Sequence, residues 1–252
     1  MNAIYLSGTG NTMHIVTLLF NELGENGKIV PIESAEVKEA LNADELILGF
    51  PTQFSNIPYL VRDFINKNQN VWKGKKIFLI TTMGLFAGDG TGCAARLLKK
   101  YGAEITGGIQ IRMPDAVCDN KALKKSLEQN RSIVREADKR IKDIAIQMKE
   151  GKYPQEGLSV LDHAAGLLGQ RLWFYNKTTG YTDKLKIDTG KCIGCGICAK
   201  GCPTQNIKIE NGKATANAHC TMCYRCISCC PQKAITLLGK EVVQQAGIEK
   251  YT

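Results

Sequence analysis

Blocks of apolar and polar positions alternate through the first 150 residues. Short, nearly continuous apolar runs are typical of buried parallel strands. They lie near residues 3–6, 28–32, 45–50, 76–81 and 105–111. Longer segments with apolar residues at helical spacing separate them, near residues 11–23, 57–67, 90–101 and 120–150. This alternation predicts an α/β fold with a doubly wound parallel sheet.

The pattern changes after residue 150, where Gly151 and Pro154 end the last predicted helix. Residues 151–183 contain an apolar stretch from Leu158 to Tyr175, but it is too short and too interrupted by Asp162, Gln170 and Arg171 to span a membrane. We expect a helical linker that docks two domains together, with His163 as a packed histidine whose ring has a hydrogen-bond partner. A cysteine-rich domain follows at residues 184–238, and residues 239–252 form a C-terminal tail.

Eight of the eleven cysteines fall into two runs with the same spacing, which is the bacterial spacing for [4Fe–4S] ligation. The first run contains Cys192, Cys195, Cys198 and Cys202 and is followed by Pro203; the second begins 28 positions later and contains Cys220, Cys223, Cys226 and Cys230, followed by Pro231. In two-cluster proteins the fourth cysteine of each run ligates the other cluster. Cluster I would then take Cys192, Cys195, Cys198 and Cys230, and cluster II would take Cys220, Cys223, Cys226 and Cys202.

Other uses of these cysteines fit less well. Disulfides need an oxidising compartment, and the first residues do not resemble a signal peptide. Zinc sites use paired C-x-x-C units rather than three cysteines at i, i+3 and i+6. Cys93, Cys118 and Cys229 lie outside the runs, and we expect inert packed thiols, with Cys229 as a conceivable substitute ligand.

The first predicted strand runs into a loop of small and hydroxyl residues, Ser7-Gly8-Thr9-Gly10-Asn11-Thr12. Such a loop offers backbone N–H groups, hydroxyls and a helix N-terminus to a phosphate group. It contains neither the Gly-Lys-Ser/Thr of a Walker loop nor G-x-G-x-x-G. Its hydroxyl content suits the single phosphate of FMN.

This segment resembles the phosphate loop of the flavodoxins residue by residue. Two further loops resemble the flavodoxin loops that hold the isoalloxazine ring, and each follows an apolar strand, as ligand loops do in open α/β sheets. The resemblance covers about residues 1–150 and implies the strand order 2-1-3-4-5. It implies an FMN site formed by Ser7, Gly8, Thr9, Gly10, Asn11, Thr12, Pro51, Thr52, Gln53, Phe54, Thr82, Met83, Gly84, Phe86, Ala87, Gly88 and Asp89.

The chain departs from the flavodoxins around the flavin ring. Flavodoxins usually flank the ring with Trp or Tyr, and neither ring loop contains one. Phe54 and Phe86 are the aromatic residues of these loops, with core packing as their alternative role. Asp89 is a candidate proton donor, although the resemblance favours a role in shaping its loop.

The chain as a whole resembles the fused flavodoxin–ferredoxin proteins of anaerobic bacteria and archaea known as EFR-type ferredoxins. The resemblance implies an FMN-binding flavodoxin-like domain at residues 1–150. It also implies a C-terminal α+β ferredoxin-like domain with two [4Fe–4S] clusters at residues 184–238. A cytoplasmic, oxygen-sensitive role in electron transport follows from the resemblance, without a defined substrate.

The formal net charge of the chain is +9. Thiolate-bound clusters and a flavin phosphate would offset much of it, and no basic patch is interleaved with aromatic residues, so the charge does not indicate nucleic-acid binding. Residues 184–238 contain eight Lys/Arg and two acidic residues, a net charge of +6. A basic surface attracts an acidic redox protein. We hypothesise a small acidic ferredoxin or flavodoxin, or an acidic patch of a reductase, as partner.

The residues leave two functions open. The first is an electron carrier that passes electrons between two clusters and FMN and exchanges them with an external partner, since FMN accepts one or two electrons. The second is an FMN-dependent reductase of a quinone, a nitro compound or another unsaturated acceptor, fed by its own clusters. His14, His163 and His219 are scattered along the chain and no acid–base constellation is visible. We therefore predict no catalytic residue and favour the carrier.

Overall fold

A computed structural model describes residues 1–168 and 180–252. Its first half is built around a parallel sheet, whose strands are β1 (Asn2–Tyr5), β2 (Ile29–Pro31), β3 (Glu45–Pro51), β4 (Lys76–Met83) and β5 (Glu104–Arg112). The strand order is β2-β1-β3-β4-β5. The predicted flavodoxin-like order is confirmed. Because the strands are parallel, their carboxyl ends meet at one edge, where ligand loops lie in such sheets.

Helices cover both faces of the sheet: α1 (Asn11–Leu23), α2 (Val37–Ala40), α3 (Tyr59–Lys67), α4 (Gly90–Lys100) and α5 (Leu127–Lys149). The last of these begins later than the predicted residue 120, because Ser126 and Gln129 cap it reciprocally at Leu127. A 3-10 turn at Lys121–Leu123 precedes this cap. The short α2 was not predicted, since four residues are too few to show helical periodicity.

Two apolar cores lie on opposite faces of the sheet. One includes Leu48, Ile65, Trp72 and Leu98 and packs α2, α3 and α4 against the strands. The other includes Ile15, Ile47, Ile80 and Ile141 and packs α1 and α5. Burial on both faces explains why the strand sequences are almost continuously apolar. The buried strands hold the loops at their carboxyl ends in fixed positions.

The predicted linker is described only in part, because residues 169–179 lie outside the described ranges, and with them the apolar residues Leu172, Trp173, Phe174 and Tyr175. The described part contains α6 (Val160–Gly166), which Ser159 caps together with Asp162. His163 Nδ1 lies 2.8 Å from Asp89 Oδ2, so its ring has a hydrogen-bond partner and α6 docks on the loop after β4. Within residues 1–168 and 180–252, no helix is long and apolar enough to cross a bilayer.

The cysteine-rich segment forms a small α+β domain, with β6 (Lys186–Ile187), α7 (Ile197–Gly201), β7 (Ile207–Glu210), β8 (Lys213–Ala216), α8 (Arg225–Cys229) and β9 (Ile235–Thr236). β6 pairs with β9 and β7 pairs with β8, both antiparallel. The predicted ferredoxin-like architecture is confirmed. The core of this domain includes Ile207, Ile227 and Ile235, together with Cys118 from the segment after β5.

The C-terminal tail packs back onto the first domain. Ile248 and Tyr251 are buried in the core beneath α1 and α5. The Ile248 N–H donates a hydrogen bond to the Thr9 carbonyl oxygen at 3.0 Å. A Cβ on Gly10 would lie 2.4 Å from the Ile248 side chain, and Gly10 has a left-handed φ of +87°, so both space and backbone require glycine there. The tail therefore supports the predicted phosphate loop.

A buried carboxylate joins the two domains. Asp119 accepts hydrogen bonds from the backbone N–H groups of Leu237, Leu238 and Gly239 at 2.6, 2.7 and 3.0 Å. Burial raises the pKa of Asp119, but these bonds and the neighbouring Tyr224 hydroxyl outweigh it and hold the pKa below its ordinary value of 3.8. The resulting stabilisation is present above pH 3.8 and is lost as the pH falls through the lower folded-state pKa.

Replacing Asp119 with alanine is expected to lower the free energy of unfolding by about 3 kcal/mol, because three N–H donors lose a charged acceptor. In a chain of this size the Tm should fall by roughly 6–12 °C, measured anaerobically on the cofactor-loaded protein. Glu128→Ala removes an exposed ion pair with Arg135 and should leave the Tm unchanged. An Asp119→Ala protein that melts with the wild type would show that the domains do not depend on this contact.

Candidate functional site

A cavity of about 320 Å³ opens at the carboxyl edge of the sheet. The loops after β1, β3 and β4 line it, because these strands are neighbours and end at the same edge. Thirteen of the predicted flavin-site residues are brought together there: Ser7, Gly8, Thr9, Asn11, Thr12, Pro51, Thr52, Gln53, Phe54, Thr82, Met83, Gly84 and Phe86. We call this space the flavin cavity.

The loop at residues 7–12 leads directly into the N-terminus of α1. Gly10 caps this helix in the left-handed region. The Thr12 and Thr82 hydroxyl oxygens are 2.8 Å apart, which ties the first loop to β4. The Asn11 side-chain amide donates to the Pro114 carbonyl oxygen at 2.7 Å, which ties it to the segment after β5. These contacts hold the helix N-terminus, with its free N–H groups, at the cavity.

Buried polar atoms in the flavin cavity indicate that it binds a polar ligand. Ser7 Oγ, Asn11 Oδ1 and Thr52 Oγ1 are buried and have no hydrogen-bond partner within residues 1–168 and 180–252. Buried polar atoms in native proteins are almost always paired. Hydroxyl donors beside a helix N-terminus suit a phosphate group, and an amide oxygen suits an N–H donor. The residues present therefore fit FMN.

Four predicted flavin-site residues lie outside the flavin cavity: Gly10, Ala87, Gly88 and Asp89. Asp89 is fully buried, with Oδ2 2.6 Å from Arg96 Nη2 and 2.8 Å from His163 Nδ1. A carboxylate held in this way shapes the turn before α4. These contacts agree with the loop-shaping role that the resemblance favours for Asp89.

The segment after β5 forms a wall of the flavin cavity that the sequence did not predict: Met113, Pro114, Asp115, Ala116 and Val117. Burial raises the pKa of Asp115, and the N–H of Val117 and the charge of Lys124 offset this only in part. A Cβ on Gly84 would lie 2.5 Å from Asp115 Oδ2, so glycine lets this carboxyl approach the ring loop. A carboxyl with a raised pKa keeps its proton to a higher pH than usual, and it can then donate a hydrogen bond or a proton to a ligand.

The remaining wall of the flavin cavity comes from the C-terminal domain. Met222, Cys223, Tyr224 and Leu238 line it together with the flavodoxin-like loops. Sequence reasoning missed these residues because they reach the cavity only through the packing of one domain on the other.

The eight cysteines of the two runs surround two smaller cavities. In the described part of the chain, no group of three His, Cys, Asp or Glu side chains is arranged to bind a single metal ion. The cluster I cavity is lined by Cys192, Cys195, Cys198 and Cys230. The cluster II cavity is lined by Cys202, Cys220, Cys223 and Cys226. The fold thus groups the cysteines across the two runs, in the sets that the crossed assignment uses. Four separate thiols per cavity fit a cubane, whose four irons each take one thiolate.

Hydrogen bonds and burial shift the pKa values of the candidate ligand thiols in opposite directions. N–H groups of Ala214 and Gly194 lower the pKa of Cys192. Burial instead raises the pKa of Cys220 to about 11 and also raises that of Cys226. Burial also raises the pKa of Cys198 in the cluster I cavity, so each cavity contains a thiol that loses its proton less readily than usual. Because ligation needs thiolates, iron must displace these protons.

The cluster II loop packs directly on the phosphate loop. A Cβ on Gly8 would lie 1.8 Å from the carbonyl oxygen of Cys223, so these backbones touch. Gln53 Nε2, in the loop after β3, donates to the Thr221 carbonyl oxygen at 2.8 Å. Two of the flavin-cavity loops are therefore in contact with the loop that carries three cluster II cysteines.

The flavin and cluster II cavities share a wall. Met222, Cys223 and Tyr224 line both. Arg225, the next residue, donates from its guanidinium to the Ser7 carbonyl oxygen at 2.7 Å. No such residue is shared between the flavin cavity and the cluster I cavity, as far as the described residues show. Cluster II is the inner of the two candidate clusters.

Two domain families match the chain. Residues 3–106 match the flavodoxin domain, and residues 185–208 match the 4Fe-4S binding domain. The chain is a fusion of a flavodoxin domain and a 4Fe-4S ferredoxin domain. This flavodoxin–ferredoxin fusion has the make-up of an iron–sulfur flavin redox protein.

The ferredoxin part of the fusion is similar to archaeal proteins. An uncharacterized ferredoxin of Methanocaldococcus jannaschii is 34% identical over 71 residues, which are 25% of this chain and 45% of that protein. A ferredoxin of Pyrobaculum islandicum is 38% identical over 70 residues, 27% of this chain and 64% of that protein. One component of the ion-translocating oxidoreductase complex of Methanosarcina acetivorans is 45% identical over 47 residues, 18% of each chain. The fusion thus spans less than two thirds of each of these relatives.

The flavodoxin part is similar to solved flavodoxins. Oxidised flavodoxin 2 from Bacillus cereus is 23% identical, with a TM-score of 0.44, over 60% of this chain and 97% of that chain. Two-electron reduced flavodoxin from Megasphaera elsdenii is 26% identical, with a TM-score of 0.42, over 45% of this chain and 88% of that chain. The fold assignment itself follows from the strand order of the sheet.

Proposed function

We propose that the fusion is an electron carrier that moves electrons between two [4Fe–4S] clusters and FMN and exchanges them with an external redox protein. One observation carries the proposal: Met222, Cys223 and Tyr224 separate the cluster II cavity from the flavin cavity and line both. FMN supplies a centre that accepts electrons singly or in pairs. Free cysteines throughout suit a reducing compartment, and we propose the cytoplasm.

In this proposal, separate groups of residues bind the flavin, bind the clusters and hold the domains together. Ser7 and Thr12, with the N-terminus of α1, hold the flavin phosphate. The crossed cysteines hold cluster I at the surface and cluster II against the flavodoxin domain, and Asp119 keeps the two domains docked. This order makes cluster I the exchange point with the partner and cluster II the inner centre. Exposed Cys195 on the cluster I side agrees with that assignment.

The surface around Cys195 suits an acidic partner. Ile193 and Ile197 are 62% and 48% exposed beside it. Lys191 and Lys200, which flank these residues, are exposed. Exposed apolar side chains next to exposed lysines can form a small contact patch, whose positive charge attracts an acidic partner. We propose an acidic ferredoxin, an acidic flavodoxin or an acidic reductase patch as the partner.

Reversing two charges on this patch, Lys191→Glu with Lys200→Glu, is expected to slow electron exchange with an acidic ferredoxin by about tenfold or more at low salt. The physical reason is lost steering of the encounter, so the difference should shrink as ionic strength rises. Stopped-flow mixing with the reduced ferredoxin measures the rate. The double variant Lys38→Glu with Lys142→Glu makes the same change of net charge on the flavodoxin domain and should leave the rate unchanged. Equal slowing by both pairs would show that the cluster I face is not the docking surface.

Anaerobic reductive titration tests the carrier itself. A protein with two clusters and one FMN takes up about four electron equivalents, one for each cluster and two for the flavin. The same electrons should then leave to an oxidised acceptor protein. Zinc in place of iron, or a chain that does not bind FMN, would refute the proposal.

One feature favours the alternative function, a reductase of a small unsaturated acceptor. Asp115 faces the flavin cavity with a raised pKa, and such a carboxyl can supply a proton that quinone reduction consumes. Steady-state turnover of a small quinone by the reduced protein, faster than its electron exchange with carrier proteins, would select this function.

A further inference from the structure

The two cysteine runs fold alike, but two positions with a left-handed backbone are glycine in the first run and not in the second. In the first run, Gly194 and Gly196 have left-handed φ values of 70° and 77°. Met222 and Tyr224 occupy the same places in the second run, with φ values of 56° and 60°. Glycine adopts this conformation freely, whereas other side chains raise the free energy of the native state. Backbone strain of this kind is retained where the surrounding structure enforces it, commonly at ligand-binding sites.

The sites around the two runs show where the side chains are needed. Nothing lies within 4 Å of the place where a Cβ on Gly196 would sit, so the first run has open space at the position of Tyr224. Tyr224 is 4% exposed and lines both the flavin cavity and the cluster II cavity. The bulky residue thus stands in the run that contacts the flavodoxin domain. Glycine stands in the run whose cluster I cavity shares no lining residue with the flavin cavity, as far as the described residues show.

Tyr224 brings to the flavin cavity a tyrosine ring that the two ring loops lack. The two ring loops contain no Trp or Tyr, and Phe86, one of their two phenylalanines, is 45% exposed. Tyr224 is 4% exposed, so its ring is buried where it lines the flavin cavity.

We infer that Tyr224, with Met222 beside it, is the flavin-contacting aromatic residue of this protein, supplied by the ferredoxin domain to a site that the flavodoxin domain leaves open. The inference rests on the proposed function, because it takes FMN as the ligand of the cavity. An aromatic ring contributes buried area and ring contact to a flat ligand. Since Tyr224 belongs to the cluster II loop, assembly of cluster II and binding of FMN favour each other, and by linkage each strengthens the other equally.

Tyr224→Gly tests the inference, because it installs the residue that the first run uses and relieves the backbone strain. Iron content should stay at about eight per chain. The dissociation constant for FMN should rise about tenfold or more, measured by anaerobic fluorescence titration of flavin-depleted, iron-loaded protein. Gly196→Ala changes the equivalent position of the first run, away from the flavin cavity, and should leave FMN affinity unchanged.

Unchanged FMN affinity in an iron-replete Tyr224→Gly protein would overturn the inference and leave the proposed function standing. A wild-type protein that binds no FMN would refute the proposed function. Tyr224→Phe and Tyr224→Leu, which keep the same backbone strain, decide the matter if the glycine variant loses iron. The inference requires the Phe variant to retain FMN affinity and the Leu variant to lose it, and equal affinities would overturn it.

Discussion

Replacing Cys202 with alanine is expected to remove cluster II and leave cluster I, although Cys202 belongs to the first cysteine run. Cys202 lines the same cavity as Cys220, Cys223 and Cys226. A cubane needs a thiolate for each of its four irons, so losing one leaves an iron without its protein ligand. Iron should fall from about eight to about four per chain. Iron analysis of anaerobically purified protein, with electron paramagnetic resonance after reduction, measures the loss.

Two variants control this prediction. Cys230→Ala should remove cluster I instead, because Cys230 lines the cluster I cavity. Cys229→Ala changes the neighbouring residue, which lines neither cavity, and should keep all the iron. If Cys202→Ala and Cys195→Ala lost the same cluster signal, each run would bind its own cluster and the crossed assignment would be wrong.

A single methyl group at Gly8 is expected to separate the two domains at the flavin cavity. The added Cβ would lie 1.8 Å from the Cys223 carbonyl oxygen, a backbone atom that no side-chain rotation can move. Overpacking of this kind costs roughly 2–3 kcal/mol. Expressed in FMN affinity, that is roughly a 30- to 150-fold loss. Fluorescence titration with FMN measures it, with thermal unfolding alongside.

Gly201→Ala is the matched control for Gly8→Ala. A Cβ on Gly201 would meet the Arg225 side chain at 3.6 Å, an ordinary contact. This variant should bind FMN as the wild type does. A Gly8→Ala protein with wild-type affinity and Tm would contradict the packing of the phosphate loop against the cluster II loop.

The sheet and the cysteine sets could be predicted from the sequence because both depend on local patterns. Continuous apolar strands and a hydroxyl loop after β1 indicate the fold, and ligand spacing indicates the grouping of the cysteines. Local sequence also determines where the helices begin. α5 begins at Leu127 rather than near residue 120, because the Ser126 capping box fixes its first turn.

The other walls of the flavin cavity could not be predicted in this way. Asp115 follows β5 without any motif, and its place beside Gly84 depends on how two loops meet. Tyr224 and Leu238 reach the cavity only through domain docking. One signal was available: the repeat places Tyr224 where the first run has Gly196, and that substitution of a glycine marks a position with an added role.

In the proposed carrier, electrons reach the flavin through cluster II. Rapid anaerobic mixing of a one-electron donor with Cys202→Ala protein, at saturating FMN, tests it most directly, with absorbance of the cluster and of the flavin followed separately. Cluster I should still be reduced at the wild-type rate, while reduction of the flavin becomes far slower than in the wild type. Flavin reduction at the wild-type rate without cluster II would contradict it.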